Sequence, residues 1–307
     1  MSLLVVGTVA FDALETPFGK TDRILGGSAT YFSLSASRFV KPINLVSVVG
    51  EDLPQEHLDL LTSNGVDIRG VEIVKGGKTF FWSGKYHNDM NTRDTLVTEL
   101  NVLADFQPEL PQDYREPEVL MLGNLDPKVQ LAVIDQIPRR PKVVVLDTMN
   151  FWMDHTMDDL KKVLRKVDVL TINDEEARQL SGEYSLVKAA KKIMNMGPLA
   201  LVIKKGEHGA LLFHDSEVFF APALPLEEVF DPTGAGDTFA GGFTGYLASS
   251  KDISFENMKR AVIYGSAMAS FCVEKFGTER LEKITDKELR DRVSAFLDLT
   301  QIEMVMQ

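Results

Sequence analysis

The feature that most restricts the fold is an alternation. Six short runs, each apolar at its centre, fall at residues 3–6, 43–49, 118–123, 142–147, 167–172 and 199–205. Runs of that kind mark strands covered on both faces, as in parallel sheets. Between them lie amphipathic stretches such as PQEHLDLLTSNG, DPKVQLAVIDQI and MDDLKKVLRKV. Strand then helix, repeated, predicts an α/β fold: a three-layer α/β/α sandwich around a mostly parallel sheet. Residues 71–101 break the rhythm with a period of two that puts Phe80, Trp82 and Tyr86 on one face, behind a Gly76-Gly77 turn. The segment FDALETPFGKTDRI is likewise too irregular for a helix. These two pieces, about 11–24 and 70–104, are expected to form a small β-sheet lid within a single domain of residues 1–307.

Composition narrows the class. Of 307 residues, 44% are hydrophobic and 25% charged, enough for a substantial core. The 45 acidic against 33 basic residues give a net charge of −12. That balance argues against a nucleic-acid or membrane partner, while a local site can still hold a small anion. One cysteine, Cys272, excludes an internal disulfide and a cysteine-cluster metal site, which suits a reducing compartment. The opening MSLLVVGTVAFD has no basic lead and too short an apolar run for a signal peptide. No apolar stretch reaches transmembrane length, so a cytoplasmic protein is expected.

The chemistry concentrates in DPTGAGDTFAGGF, from Asp231 to Phe243. Phe239, Phe243 and Leu247 are spaced as one stripe of a helix over about 237–248. Gly241, Gly242 and Gly245 lie inside it, each costing on the order of 1 kcal/mol relative to Ala, so this helix is expected to press against another backbone. Gly234, Ala235 and Gly236 form the turn before it, where free N–H groups and the helix dipole attract negative charge. Asp237 stands at the same end and is expected to have a low pKa there. A Walker A pattern is absent, and the dinucleotide fingerprint fails because its third glycine position is Phe239.

This stretch resembles the C-terminal signature of the ribokinase-like (phosphofructokinase-B type) carbohydrate kinases. The resemblance implies that Asp237 is the catalytic base and that the amides of Gly234, Ala235 and Gly236 form an anion hole for the transferring phosphoryl group. A weak but well-placed carboxylate is enough for a loose phosphoryl-transfer transition state. LGGSATYFSLSASRF looks like the first family signature, where Gly26 and Gly27 meet the acceptor. Many members carry an asparagine a few residues on, where this chain has Thr30 and Tyr31. Asp12 matches an aspartate that binds acceptor hydroxyls, a carboxylate being able to accept two hydrogen bonds from a diol. In TINDEEARQLSG, Asn173 and Glu176 have capping-box spacing. The resemblance places them near the nucleotide phosphates, with Glu176 reaching Mg²⁺ through water. It also puts Lys204 or Lys205, Gly206, Gly209 and Thr233 on the nucleotide side, and Ala267 and Ala269 beside the adenine. Carbonyls around Asp231 and Thr233 are implied to hold a monovalent cation such as K⁺.

The expectation is an ATP-dependent kinase that phosphorylates a hydroxymethyl group of a sugar. The alternatives are a nucleoside kinase of the same family or a non-catalytic sugar- or nucleoside-binding protein on that fold. The exposed lid edge suggests a homodimer.

Overall fold

The alternation becomes a nine-stranded sheet in the computed structural model, which describes residues 1–299 and 301. The strands are β1 (Leu3–Val6), β2 (Ala10–Thr16), β3 (Gly19–Lys20), β4 (Ile24–Gly26), β5 (Ile43–Gly50), β6 (Val66–Val74) and β7 (Phe81–Tyr86). They continue as β8 (Arg93–Glu99), β9 (Val119–Leu122), β10 (Val143–Asp147), β11 (Val169–Asn173), β12 (Ala200–Lys204), β13 (Ala210–His214) and β14 (Glu217–Ala221). The helices are α1 (Ser28–Ala36), α2 (Gln55–Ser63), α3 (Pro127–Asp135), α4 (Asn150–His155) and α5 (Met157–Leu164). They are followed by α6 (Asp174–Ser181), α7 (Leu186–Met194), α8 (Ala235–Ser250), α9 (Phe255–Cys272) and α10 (Asp286–Asp298). No described helix is long and apolar enough to cross a membrane.

The main sheet runs β14-β13-β12-β11-β10-β9-β1-β5-β6, parallel except for the hairpins at its β14 end. Successive strand residues point to opposite faces. Leu3 and Val5 enter a core shared with α1, α2, α8 and α9, whereas Leu4 and Val6 enter one shared with α3, α5, α6 and α7. The result is the ribokinase-like three-layer sandwich. All six anticipated strands are present: β1 has the expected ends, and those of the other five shift by at most two residues. Of the other three strands, β13 is the one that the sequence also shows after the Gly206 and Gly209 turn, while β6 and β14 went unread. Residues 70–74, assigned above to the lid, belong instead to β6, which runs parallel to β5 up to Gly50 opposite Val74. The reason is exposure: as an edge strand, β6 carries polar residues and leaves Ile73 54% exposed, so it reads like lid rather than like a buried strand.

The lid is a second sheet, ordered β3-β2-β7-β8 with β4 pairing on β2. In it Asp12 lies opposite Trp82, so the two share a face.

Helix α8 starts at Ala235, two residues earlier than expected, and buries Phe239, Phe243 and Leu247. Its glycines explain themselves by contact. A Cβ on Gly241 would fall 2.5 Å from the Phe32 carbonyl oxygen, and one on Gly245 would fall 2.7 Å from Ala36 Cα, both in α1. Gly242 faces Gly265 and Met268 of α9. Ala267, considered above for adenine packing, is fully buried in this core. A substitution tests the contact. Gly241→Ala gains about 1 kcal/mol of helix propensity, yet it is expected to destabilise the protein by a net ~1–3 kcal/mol through overpacking. Thermal unfolding of that variant at or above the wild-type midpoint would refute the close-contact reading.

Candidate active site

The chain leaves β1 toward β5 and leaves β9 toward β10, so the order of strands reverses between β1 and β9. A crevice beyond the carboxyl ends of the strands is the usual ligand site of such a sheet. Asp147, Asn173 and Lys204 are the last residues of β10, β11 and β12, all at that edge. Asp12 arrives from β2, and the start of α8 closes the group.

Gly234 caps α8 in the left-handed region, φ 72°. Among the described residues, the Gly234 and Gly236 amides donate to no other protein group. The Ala235 amide, expected to be free as well, donates to the Pro232 carbonyl at 3.2 Å, the long end of the range. Lys204 stands beside the turn: a Cβ on Gly236 would lie 3.0 Å from its Nζ. The ammonium is held by Asp147 Oδ2 at 2.8 Å, in a pair whose side chains are 15% and 8% exposed. The same carboxylate oxygen accepts from Thr171 Oγ1 at 2.9 Å. The Lys205 amide donates to the Gly209 carbonyl within the β12–β13 hairpin, and it is the Lys204 side chain that reaches Asp147 and Gly236. Gly206 and Gly209 both have positive φ and shape that turn.

Asn173 and Glu176 form the anticipated capping box: Asn173 Oδ1 accepts from the Glu176 amide and Glu176 Oε2 from the Asn173 amide, both at 2.8 Å. Burial pushes the Glu176 carboxyl up to about 7, with Lys204 opposing and Asp147 adding to the shift. Its Oε1 accepts no hydrogen bond from the described residues. No cluster of three or more His, Cys, Asp or Glu among them is arranged to hold a metal alone. A carboxylate with one oxygen free of hydrogen bonds from the described residues, in the same crevice as the free amides of Gly234 and Gly236 and the Lys204 ammonium, fits a magnesium ion carried in on phosphates.

The low pKa expected for Asp237 is overturned. Burial raises it to about 8, Asp147 adds to the rise, Lys204 opposes it, and Asp12 and Glu176 contribute further. Desolvation and like charges outweigh the helix dipole here. Asp12 behaves similarly: it is 5% exposed, and burial together with Asp231 lifts it to about 7. It packs directly on Gly26, where a Cβ would come 1.9 Å from Asp12 Oδ2. Gly27 caps α1 with φ 91°, against the Thr8 carbonyl.

The two residues that depart from the family pattern are accounted for. Thr30 Oγ1 donates to the Gly26 carbonyl at 2.7 Å. The Tyr31 ring lies under Gly234, 2.4 Å from where a Cβ would be, and its buried hydroxyl has no partner among the described residues. Thr233 is fixed on two sides: its amide donates to Asp231 Oδ1 at 2.9 Å and its hydroxyl meets Tyr86 OH at 3.1 Å. Sequence reading missed Asp147 and Tyr31 as parts of this site. Asp147 left a signal, an acid closing the buried run KVVVLD at a parallel strand's carboxyl end. Tyr31 left none, because its role depends on a turn about two hundred residues away.

A doubly wound sheet with a lid, and an acid behind a glycine turn at a helix start, define a ribokinase-like phosphotransferase with an alcohol acceptor. The match to a family model settles the membership. Residues 7–284 match the pfkB family carbohydrate kinases, and the chain belongs to that family. Relatives include a cytidine kinase of Thermococcus kodakarensis, 33% identical over 249 residues covering 79% of this chain and 87% of the relative. A nucleoside kinase of Methanothermobacter thermautotrophicus is 27% identical, covering 90% and 91% of the two chains. Among solved structures, an E. coli protein assigned as a ribokinase II, in complex with ATP and Mg²⁺, superposes with a TM-score of 0.78 at 18% identity. That match covers 97% of this chain and 99% of the E. coli chain.

The raised carboxylates make a pH prediction with a definite sign. The unfolded chain releases the Asp237 proton near 3.8 and the folded ligand-free protein near 8, so burial costs stability as pH rises through that window. Asp237→Asn removes the cost. The stability advantage of the variant over wild type is expected to grow by about 1.4 kcal/mol per pH unit across the window and then level off. Denaturant melts from pH 4 to 9 that show a constant difference would contradict the raised pKa.

Proposed function

We propose that this chain transfers the γ-phosphoryl group of ATP to a hydroxymethyl group of a nucleoside or sugar, with Asp237 accepting the hydroxyl proton. The start of α8 carries the reading: two free amides, the Lys204 ammonium beside them and Asp237 one residue further on. Amides and a fixed cation stabilise charge on a transferring phosphoryl group, in a site where water is scarce. The Ala235 amide would join them on release from Pro232. A carboxylate raised toward neutrality is a better base than the weak one anticipated from sequence, close to the pKa that serves proton transfer at physiological pH. Asp12, with Gly26 and Gly27, would bind acceptor hydroxyls.

Asn173, Gly206, Gly209 and Thr233 would border the nucleotide, and Glu176 would hold magnesium through water. When bound, magnesium offsets phosphate charge. A monovalent cation such as K⁺ would sit against the carbonyls of Asp231 and Thr233, where the buried Asp231 carboxylate has, among the described residues, only the amides of Thr233 and Gly277 as hydrogen-bond partners. We take residues 1–307 as one kinase domain acting in the cytoplasm, where ATP is available. Exposed Leu96 and Val97 on the lid edge strand β8 would join a second copy in a homodimer. Nucleic acid and membrane have no place in this reading. The intact set of Asp237, Asn173 and Glu176 speaks against a non-catalytic binding protein.

Trp82 favours a nucleoside over a free sugar. It shares the inward lid face with Asp12, and its ring lies along the strand over Gly84, where a Cβ would meet it at 2.2 Å. That leaves a flat aromatic surface near the acceptor carboxylate, and the relative named as a cytidine kinase supports the same reading.

A coupled ADP-release screen over cytidine, other nucleosides, pentoses and hexoses is the direct test. Asp237→Asn is expected to lower kcat at least about 100-fold, and near-normal turnover would remove Asp237 from its role. Trp82→Ala is expected to raise the nucleoside KM about tenfold or more while leaving that of a free pentose unchanged. An equal effect on both acceptors would count against stacking.

A further inference from the structure

The inward face of the lid reaches the phosphoryl-transfer turn through one side chain. Strands β2 and β7 pair in parallel with Asp12 opposite Trp82, so alternation puts Asp12, Trp82, Gly84 and Tyr86 on one face. Tyr86, the last residue of β7, is 5% exposed. Its hydroxyl lies 3.1 Å from Thr233 Oγ1, in the residue immediately before the Gly234 turn. Below that turn sits the Tyr31 ring, packed against Gly234. To one side, Asp231 holds the Thr233 amide with one oxygen and the Gly277 amide with the other, each at 2.9 Å. The turn is thus fixed from the main domain by Asp231 and Tyr31, and from the lid by Tyr86. Past Tyr86 the hairpin continues to the nucleotide-side turn, where Asn91 Oδ1 would be 2.6 Å from a Cβ on Gly206.

We propose that Tyr86 is a positioning residue that couples lid closure to the phosphoryl-transfer turn; the proposal rests on the kinase reading above. Orientation of the Thr233–Gly234 peptide sets where the Gly234 N–H points. A hydroxyl anchoring Thr233 from above completes that orientation only when the lid is down. The same strands carry Asp12 and Trp82, so an acceptor bound to them draws Tyr86 onto Thr233. Transfer is fast with an acceptor in place, and ATP without one is spared from attack by water.

The test uses Tyr86→Phe, which removes one oxygen and keeps the ring, and Thr233→Val, which removes the partner hydroxyl and keeps its shape. ADP release is measured with ribose and cytidine side by side, and without acceptor. Tyr86→Phe is expected to lose about tenfold in kcat, with KM for ATP within about twofold of wild type. The ratio of acceptor-dependent to acceptor-independent ADP release is expected to fall in parallel. Thr233→Val should lose a similar factor, and the double variant should be no worse than the poorer single one, because both remove the same bond. Wild-type kcat and ratio in Tyr86→Phe would overturn the proposal alone, as would losses that multiply in the double variant. A wild-type protein inactive on every acceptor would overturn the kinase reading and the proposal with it.

Discussion

The approach of α8 to α1 is the contact on which the site depends. Where Gly241 and Gly245 meet Phe32 and Ala36, backbone lies against backbone with no room for a single extra carbon. That contact fixes α8 in position, and with it the turn at Gly234 and the carboxylate of Asp237. Helix α1 follows directly from Gly26 and Gly27, on which Asp12 and Thr8 pack. One helix pair therefore carries both the Gly26–Gly27 loop and the Gly234 turn, to which the proposed function gives the acceptor and the phosphoryl group. The distance between the two reacting ends is set by packing rather than by loops, as catalysis by positioning requires.

Charge is arranged around a single cation. Lys204 is buried, which opposes its charge, yet Asp147 and Glu176 hold its pKa above the ordinary value. Breaking such a pair from either side leaves an uncompensated charge indoors. Asp147 takes one oxygen from solvent, offers it to both Lys204 and Thr171, and thereby keeps the ammonium next to Gly236. Burial pushes the carboxyls of Asp12, Glu176 and Asp237 upward, and among the described residues none of the three has an ion-pair partner of its own.

Much of this was legible beforehand, for physical reasons that can be named. Buried parallel strands announce themselves because both faces are apolar, so the central strands were read to within a residue or two. β6 was not, because an edge strand carries the polar pattern of a lid. The glycine helix gave away its close packing since three costly residues need a cause. The pKa of Asp237 is misjudged from sequence: local reasoning counts the helix dipole, whereas desolvation within the crevice and the nearness of Asp147 come from tertiary structure. Tyr31 and Tyr86 meet the same turn from opposite sides, and neither has a partner nearby in the chain.

The same charge pattern bears on the acceptor. Among the described residues, the lid face that looks inward carries Asp12, Trp82 and Tyr86, with Arg93 opposite Tyr86 as its one basic side chain. An acceptor already bearing a phosphate would bring a second anion toward Asp12 and Asp237. Like charges 4 Å apart repel by about 4 kcal/mol at an effective dielectric of 20, and Lys204 is committed to Asp147. A neutral nucleoside or sugar avoids that cost on entry. In the proposed reaction, a preference for an uncharged acceptor would then follow from one arrangement of acids.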